Sequence, residues 1–113
     1  APSNQFIALT SALEAAGEAL AIARRVPAPF RSLADQVVRS ATAVAANLSE
    51  GHGRSGRDLL HHWHIAHASA KEVDTRLRLL AGAGAVDVGR ARAALDLFDQ
   101  VRAMTWRLLH PRA

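Results

Sequence analysis

The strongest constraint on this fold is punctuation. Three short breaker segments divide the chain, and the runs between them carry apolar residues at helical three- and four-residue spacing. The first breaker is Val26-Pro27-Ala28-Pro29, where two prolines remove backbone donors and disfavour helix just before each ring. The second is Gly51-His52-Gly53-Arg54-Ser55-Gly56, and the third is built from Gly82, Gly84 and Ala85. Links of about five residues force consecutive helices to be antiparallel neighbours. The expected architecture is all-α: an antiparallel up-down-up-down four-helix bundle forming a single domain over residues 1–113. No strand period, internal repeat or low-complexity tract competes with it.

The spacing predicts a first helix from about Ser3 to Arg25, with Phe6, Leu9, Leu13, Ala16 and Leu20 on its core stripe. A second helix starts near Ser32, where Ser32-Leu33-Ala34-Asp35 has a capping-box shape, and ends at Gly51. Its core face is Leu33, Val37, Ala41, Val44 and Leu48. Ser55 caps a third helix carrying Leu59, Leu60, Trp63, Ala66, Ala70, Val73, Leu77 and Leu80. Asp87 caps a fourth, lined by Val88, Ala91, Leu95, Phe98, Val101, Thr105 and Leu108 and closed by Pro111. Phe6, Trp63 and Phe98 all fall on core stripes.

Two of these helices are too apolar for an isolated bundle. Before Arg24-Arg25 the first carries only Glu14 and Glu18, and Ser40 through Ser49 in the second has no charge at all. A surface helix shows a broad charged face opposite its core stripe. Homo-oligomeric assembly is the simplest expectation, because most soluble oligomers are symmetric homo-oligomers. The competing reading is that alanine sits exposed merely as the best helix former. Helices three and four differ: Glu72 with Arg76, Asp74 with Arg78, and Arg92 with Asp96 stand at i,i+4 spacing, the mark of a solvated face.

Composition removes several function classes. With no cysteine there is no disulfide framework, thiolate metal site or thiol nucleophile, and the chain fits a reducing cytoplasm. No apolar run approaches the roughly 20 residues that span a bilayer, and Glu14 and Glu18 break the N-terminal stretch as a secretory segment. Lys71 is the sole lysine among 14 basic residues, and the net charge is +4. An arginine-rich basic domain invites a nucleic-acid reading, against which stands plain coding bias with arginine as an ordinary surface residue. The arginines of the last two helices, Arg76, Arg78, Arg90, Arg92, Arg102 and Arg107, are the candidate phosphate contacts. With so few aromatic residues, base-stacking platforms are not expected, and any such binding is backbone-directed and salt-sensitive.

The densest motif joins the second and third helices: Gln36-Val37-Val38-Arg39-Ser40-Ala41, then Asn47-Leu48-Ser49-Glu50-Gly51, then Arg54, Asp58, Ala66 and Ser69-Ala70-Lys71-Glu72. Over roughly residues 26 to 86 the chain resembles the bacterial four-helix-bundle family of proteins encoded in intervening sequences of large-subunit rRNA genes. That family is similar to the accessory variability determinant proteins of diversity-generating retroelements. The pattern is Gln-x-x-Arg-x-Ala, Asn-(Ile/Leu)-x-Glu-Gly, a nearby Arg and Gly-Ser-x-x-Glu; this chain departs from it at Ser40 and Ala68. The resemblance implies a non-catalytic bundle assembling as a homo-oligomeric ring, often a pentamer. For the retroelement relatives it implies binding to nucleic acid, RNA or DNA, and to a reverse transcriptase. The motif residues it singles out are Arg39, Asn47, Glu50, Gly51, Arg54, Ser69 and Glu72.

Simple hairpin geometry gives those residues structural duties. A turn centred near Gly53 sets Arg39 beside His67 and Ala68, within about one helical turn of Glu72, and Asn47 beside Leu59. Arg39 with Glu72, and Glu50 with Arg54 or Arg57, then form partly buried ion pairs that set the hairpin register. Gly51 supplies a left-handed C-cap.

His61, His62, His64 and His67 are the one cluster suggestive of metal. Bundle metal sites pair such histidines with inward carboxylates from several helices, and none is placed here, so no metal, cofactor or catalytic residue is expected. Gly-x-Ser-x-Gly, a phosphate-cradling glycine loop with Lys and His-Glu-x-x-His are all missing. The expectation is a non-enzymatic, homo-oligomeric accessory protein that binds nucleic acid through the phosphate backbone; the alternative is a structural scaffold with no nucleic-acid role.

Overall fold

A computed structural model describes residues 3–111. Four helices follow one another: α1 (Asn4–Ala23), α2 (Arg31–His52), α3 (Gly56–Gly82) and α4 (Val88–Leu109), with a 3-10 turn at Ala28–Phe30 ahead of α2. They form an elongated bundle of 46 × 22 × 19 Å. Each helix packs on its neighbours in sequence, and α1 closes the square against α4.

The helix ends are set by identifiable groups. Ser3 Oγ accepts from the Phe6 amide at 3.1 Å, capping α1. Asp87 Oδ2 accepts from the Arg90 amide at 2.9 Å and caps α4, as its position in the sequence suggests. At the end of α3, Ala85 N donates to Leu80 O at 2.9 Å and Gly84 N to Ala81 O at 3.1 Å. That paired closure needs a left-handed residue, and Gly84 supplies it with φ of 73°.

Three expected caps are corrected. Ser32 lies inside α2, which begins at Arg31 after the 3-10 turn and uses Phe30 as an N-cap without a side-chain bond. The prolines favour that tight turn, and it starts the helix two residues earlier than a capping box at Ser32 would. Ser55 does occupy the N-cap of α3, but its side chain makes no capping bond. Gly51 is no C-cap: α2 runs through it to His52, and only Gly56 and Gly84 have positive φ among the described residues.

The core holds Val37, Val44, Val73, Leu77, Leu80, Phe98, Val101 and Thr105, all essentially solvent-free. Trp63 and Phe98 are buried as their stripes suggest, whereas Phe6 is 53% exposed. That reversal recurs along α1, although Ala16 is buried and Leu9 packs partly against the core as expected. Its buried face is Ala8, Ala12, Ala15, Ala16, Ala19, Ile22 and Ala23, while Leu13 and Leu20 point outward with Phe6. Alanine methyls let α1 approach α2 and α4 closely, and larger side chains on that face would hold it off. Leu60 and Val88, expected inside, are also exposed; they lie in the terminal turns of their helices, where the packed layer ends.

Helix α1 is the one described segment long and apolar enough to cross a membrane by length and composition, with a mean hydropathy of 1.5. The expectation that no apolar run approaches bilayer length is therefore corrected for α1, on length and composition alone. Its alanine face packing against the other helices accounts for the inner half of that apolarity.

Candidate functional site

Two regions have more chemistry than the core requires: the α2–α3 hairpin that carries the motif, and the outward face of α1. In the hairpin, α2 extends past Gly51, so the turn moves toward Arg54 and Ser55 and the register shifts by about one turn from that expected. Asn47 consequently meets His62 rather than Leu59, with Asn47 Oδ1 2.9 Å from His62 Nδ1. Its amide nitrogen donates to Ala43 O at 2.9 Å. Arg76 Nη1 donates to the Gln36 carbonyl at 3.3 Å, tying α3 to the backbone of α2.

Arg39 and Glu72 are not paired. Glu72 Oε2 takes Arg76 Nη2 at 3.2 Å, its neighbour one turn along the same helix, and Arg39 has no carboxylate within ion-pair distance among the described residues. Arg39 lines a shallow groove of about 220 Å³ with Gln36, Ser69, Glu72 and Arg76, so four motif positions do converge. Buried Ser40 backs this groove, donating to the Gln36 carbonyl at 2.8 Å.

Glu50 does reach Arg54, at 3.2 Å, and Arg54 also contacts Asp58 at 3.3 Å, so one guanidinium bridges the two helices across their turn. All three side chains are exposed, not partly buried as expected, and Arg57 takes no part among the described ion pairs. Hydrogen bonding to Glu50, assisted by Asp58, holds the Arg54 proton more firmly than usual. Gly51 has a packing role instead of a conformational one. A Cβ there would lie 2.8 Å from both Cδ1 and Nε1 of Trp63, so the indole occupies the space a side chain would need.

The α3–α4 seam holds polar groups that sequence spacing assigned to solvent. Asp74 is only 9% exposed; it accepts from Arg78 Nε at 2.7 Å and faces Arg102 of α4 at 3.5 Å. Two turns back along α3, His67 Nδ1 lies 3.0 Å from Thr105 Oγ1, whose own proton goes to the Arg102 carbonyl at 3.0 Å. Burial, then the charges of Arg102 and Lys71, lower the His67 pKa from its ordinary value. No alternation of residue types announces these links, because they depend on which faces of α3 and α4 meet. Arg92 and Asp96, expected as a pair, make no ion pair among the described residues.

The six candidate arginines do not form one patch. Arg76 is held by Glu72 in the α2–α3 groove, Arg78 and Arg102 by Asp74 in the α3–α4 seam, and Arg90 by Glu18 of α1 at 3.0 Å. Arg92 and Arg107 alone of the six have no ion pair among the described residues. Sequence reading passed over Arg24, Arg25 and Arg31, which are exposed at the corner joining α1 to α2 and have no ion pair among the described residues. The adjacent pair Arg24-Arg25, at the negative end of the α1 dipole, was the available signal.

The histidines of the cluster do not converge on one point. His62 meets Asn47, His67 meets Thr105, and His61 packs edge-on against His62 with ring centroids 5.5 Å apart. No group of three or more His, Asp or Glu side chains is arranged to hold a metal ion among the described residues.

The outward face of α1 is the larger anomaly. Phe6, Thr10, Leu13, Gly17, Leu20 and Arg24 follow one another at alternating four- and three-residue steps, and all are exposed. That is the spacing of a helix–helix seam. Glu18, turned to α4 and Arg90, is not part of it. Gly17, at the middle, has nothing within 4 Å of where a Cβ would stand, so nothing in the chain requires a glycine there. On α2, exposed Thr42, Ala46 and Ser49 add further uncharged surface.

The geometry defines a class: an antiparallel four-helix bundle whose α2–α3 hairpin is tied by polar links, with an unpartnered apolar helix face. The chain matches the family described as 23S rRNA-intervening sequence protein over residues 5–107, and it belongs to that family. Its fold is similar to the crystal structure of a protein of unknown function from the S23 ribosomal protein family of Bacteroides thetaiotaomicron. The two share 17% identity and a TM-score of 0.87, over 95% of this chain and 98% of the other. No curated protein matches in sequence.

Proposed function

We propose that this chain is a non-enzymatic accessory protein that self-assembles through α1 and binds nucleic acid along its phosphate backbone. The observation that carries the assembly is the α1 seam. Leu13 is 58% exposed and Phe6 53% in a helix whose other face already fills the core. A second copy covering the seam would remove that surface from water, and Gly17 would admit the partner's backbone closely. A closed ring, a pentamer on the family resemblance, would pool five times the +4 charge of one chain and raise its attraction for phosphate. Arg25, Arg31, Arg92 and Arg107 are the arms free for that contact, more so than the four tied candidates. The resemblance to retroelement accessories makes a reverse transcriptase the natural protein partner, in the cytoplasm and away from membranes.

A scaffold without nucleic acid is the second reading, and the neutralisation of Arg76, Arg78, Arg90 and Arg102 by carboxylates favours it. Filter binding of RNA and DNA duplexes across a salt series separates the two. Binding at low salt that falls away as salt rises supports the accessory reading, and no binding at low salt leaves the scaffold. Light scattering at micromolar protein tests the assembly: a stable 12.1 kDa particle ends both.

A further inference from the structure

The end of the bundle where α1 begins and α4 finishes is open. A cleft of about 1090 Å³ lies there, lined by Asn4, Trp63, Trp106, Arg107, Leu108 and His110 among others. Trp106 is 52% exposed, and the His110 ring stacks on it with centroids 4.2 Å apart and planes 21° from parallel. His110 Nδ1, 2.9 Å from the Trp106 carbonyl, holds the imidazole in that position. The next residue, Arg107, is exposed and has no carboxylate partner among the described residues. Asn4 brings the positive end of the α1 dipole to the same cleft.

We propose that this cleft takes an unpaired nucleobase together with its phosphate, the base stacking against the Trp106–His110 pair and the phosphate meeting Arg107. The proposal rests on the nucleic-acid reading above and names what that reading leaves open, a preference for single strands. Stacking needs a flat π-surface, which few residues here offer, and phosphate needs an uncompensated cation; the two stand side by side in sequence and line one cavity. An inorganic anion has no use for the indole, and a duplex keeps its bases stacked on each other. The aromatic poverty of the chain argued against such a platform, but a single site needs only one ring pair. The cleft volume exceeds what one nucleotide requires.

The chain has two tryptophans and no tyrosine; Trp63 lines the same cleft from a buried position, so emission is followed in the parent and in Trp106→Phe, and the difference between them reports Trp106. The test titrates a short oligo(dT) strand, and separately a duplex of equal length, into the full chain at low salt, following tryptophan emission and the anisotropy of a labelled strand. The expected result is quenching that saturates with the anisotropy for the strand but not for the duplex. Trp106→Ala should weaken strand binding about tenfold with duplex binding unchanged, and Trp106→Phe should restore most of it. Trp106 is half exposed, so circular dichroism should show both variants folded. Strand binding without quenching, or equal affinity in Trp106→Ala, overturns the inference while leaving backbone binding intact. Quenching that follows protein concentration alone assigns the cleft to contacts between copies and also overturns it. Failure of strand and duplex alike removes the nucleic-acid reading itself.

Discussion

Gly51 and Trp63 are packed so closely that one methyl group on Gly51 would lie 2.8 Å from two atoms of the indole ring. The contact joins α2 to α3 near their turn and leaves the indole nitrogen buried without an acceptor. Trp63 gives up a hydrogen bond for this fit, and Gly51 gives up helix propensity. Gly51→Ala should therefore cost about 1–3 kcal/mol through overpacking, against the usual gain from replacing glycine in a helix. Urea denaturation measures it; a stability equal to or above that of the parent would show that the indole moves aside freely.

Gly17 offers the opposite expectation. Its surroundings within the chain are empty, so Gly17→Ala should stabilise the isolated fold by up to about 1 kcal/mol. If a second copy crosses α1 there, the same change should weaken assembly. Thermal denaturation of a dilute sample and light scattering of a concentrated one separate the two effects, and a variant that assembles as tightly as the parent places the crossing elsewhere.

Leu13→Glu introduces a charge at the most exposed large apolar side chain of the seam. Helical content should stay unchanged, since the side chain is 58% exposed and contributes little to the core. The particle mass should fall toward that of one chain. A full-sized assembly in this variant would exclude the α1 face as the contact.

Asp74 and Arg78 share a short ion pair but are unequal partners. Asp74 is buried, and its replacement by alanine leaves Arg102 with only the more exposed Asp99 as a partner, at an expected cost of about 1–3 kcal/mol. Arg78 is 63% exposed and should cost under about 1 kcal/mol when removed. Arg39→Ala, with no carboxylate partner, should change stability by no more than about 0.5 kcal/mol. Chemical denaturation of the three variants ranks them; a large loss in Arg39→Ala would revive its pairing with Glu72.

Acid should loosen the α3–α4 seam through His67. Its folded pKa is lowered by burial and by Arg102 on α4, with Lys71 and His64 of its own helix adding to the effect. Below the unfolded value near 6.5, the unfolded chain binds a proton that the folded chain refuses, so stability falls as pH falls until the lower folded pKa is reached. The contribution is fully present above pH 6.5, and one proton limits the slope to about 1.4 kcal/mol per pH unit. Melting temperatures from pH 7.5 to 5 should drop less in His67→Gln than in the parent, and parallel curves would exclude His67 as the cause.

The breakers were enough to read the bundle. Pro27 and Pro29, the glycines near Arg54 and Gly84 with Ala85 end helices wherever they stand, because the lost donor or the left-handed backbone acts locally. Asp87 was legible as a cap for the same reason. The Glu50–Arg54 bridge was legible too, since both ends lie within a single turn of chain.

What spans helices was not. The side of α1 that faces inward depends on how near its neighbours come, and close approach selected the alanines over Phe6, Leu13 and Leu20 against their hydrophobicity. The partners of Arg39, Glu72, Asn47 and His67 depend on hairpin register, which a one-residue extension of α2 is enough to alter. Local chain chemistry determined where each helix starts and stops; the packing of four helices at once decided which faces meet, because that choice minimises a volume shared by residues far apart in sequence.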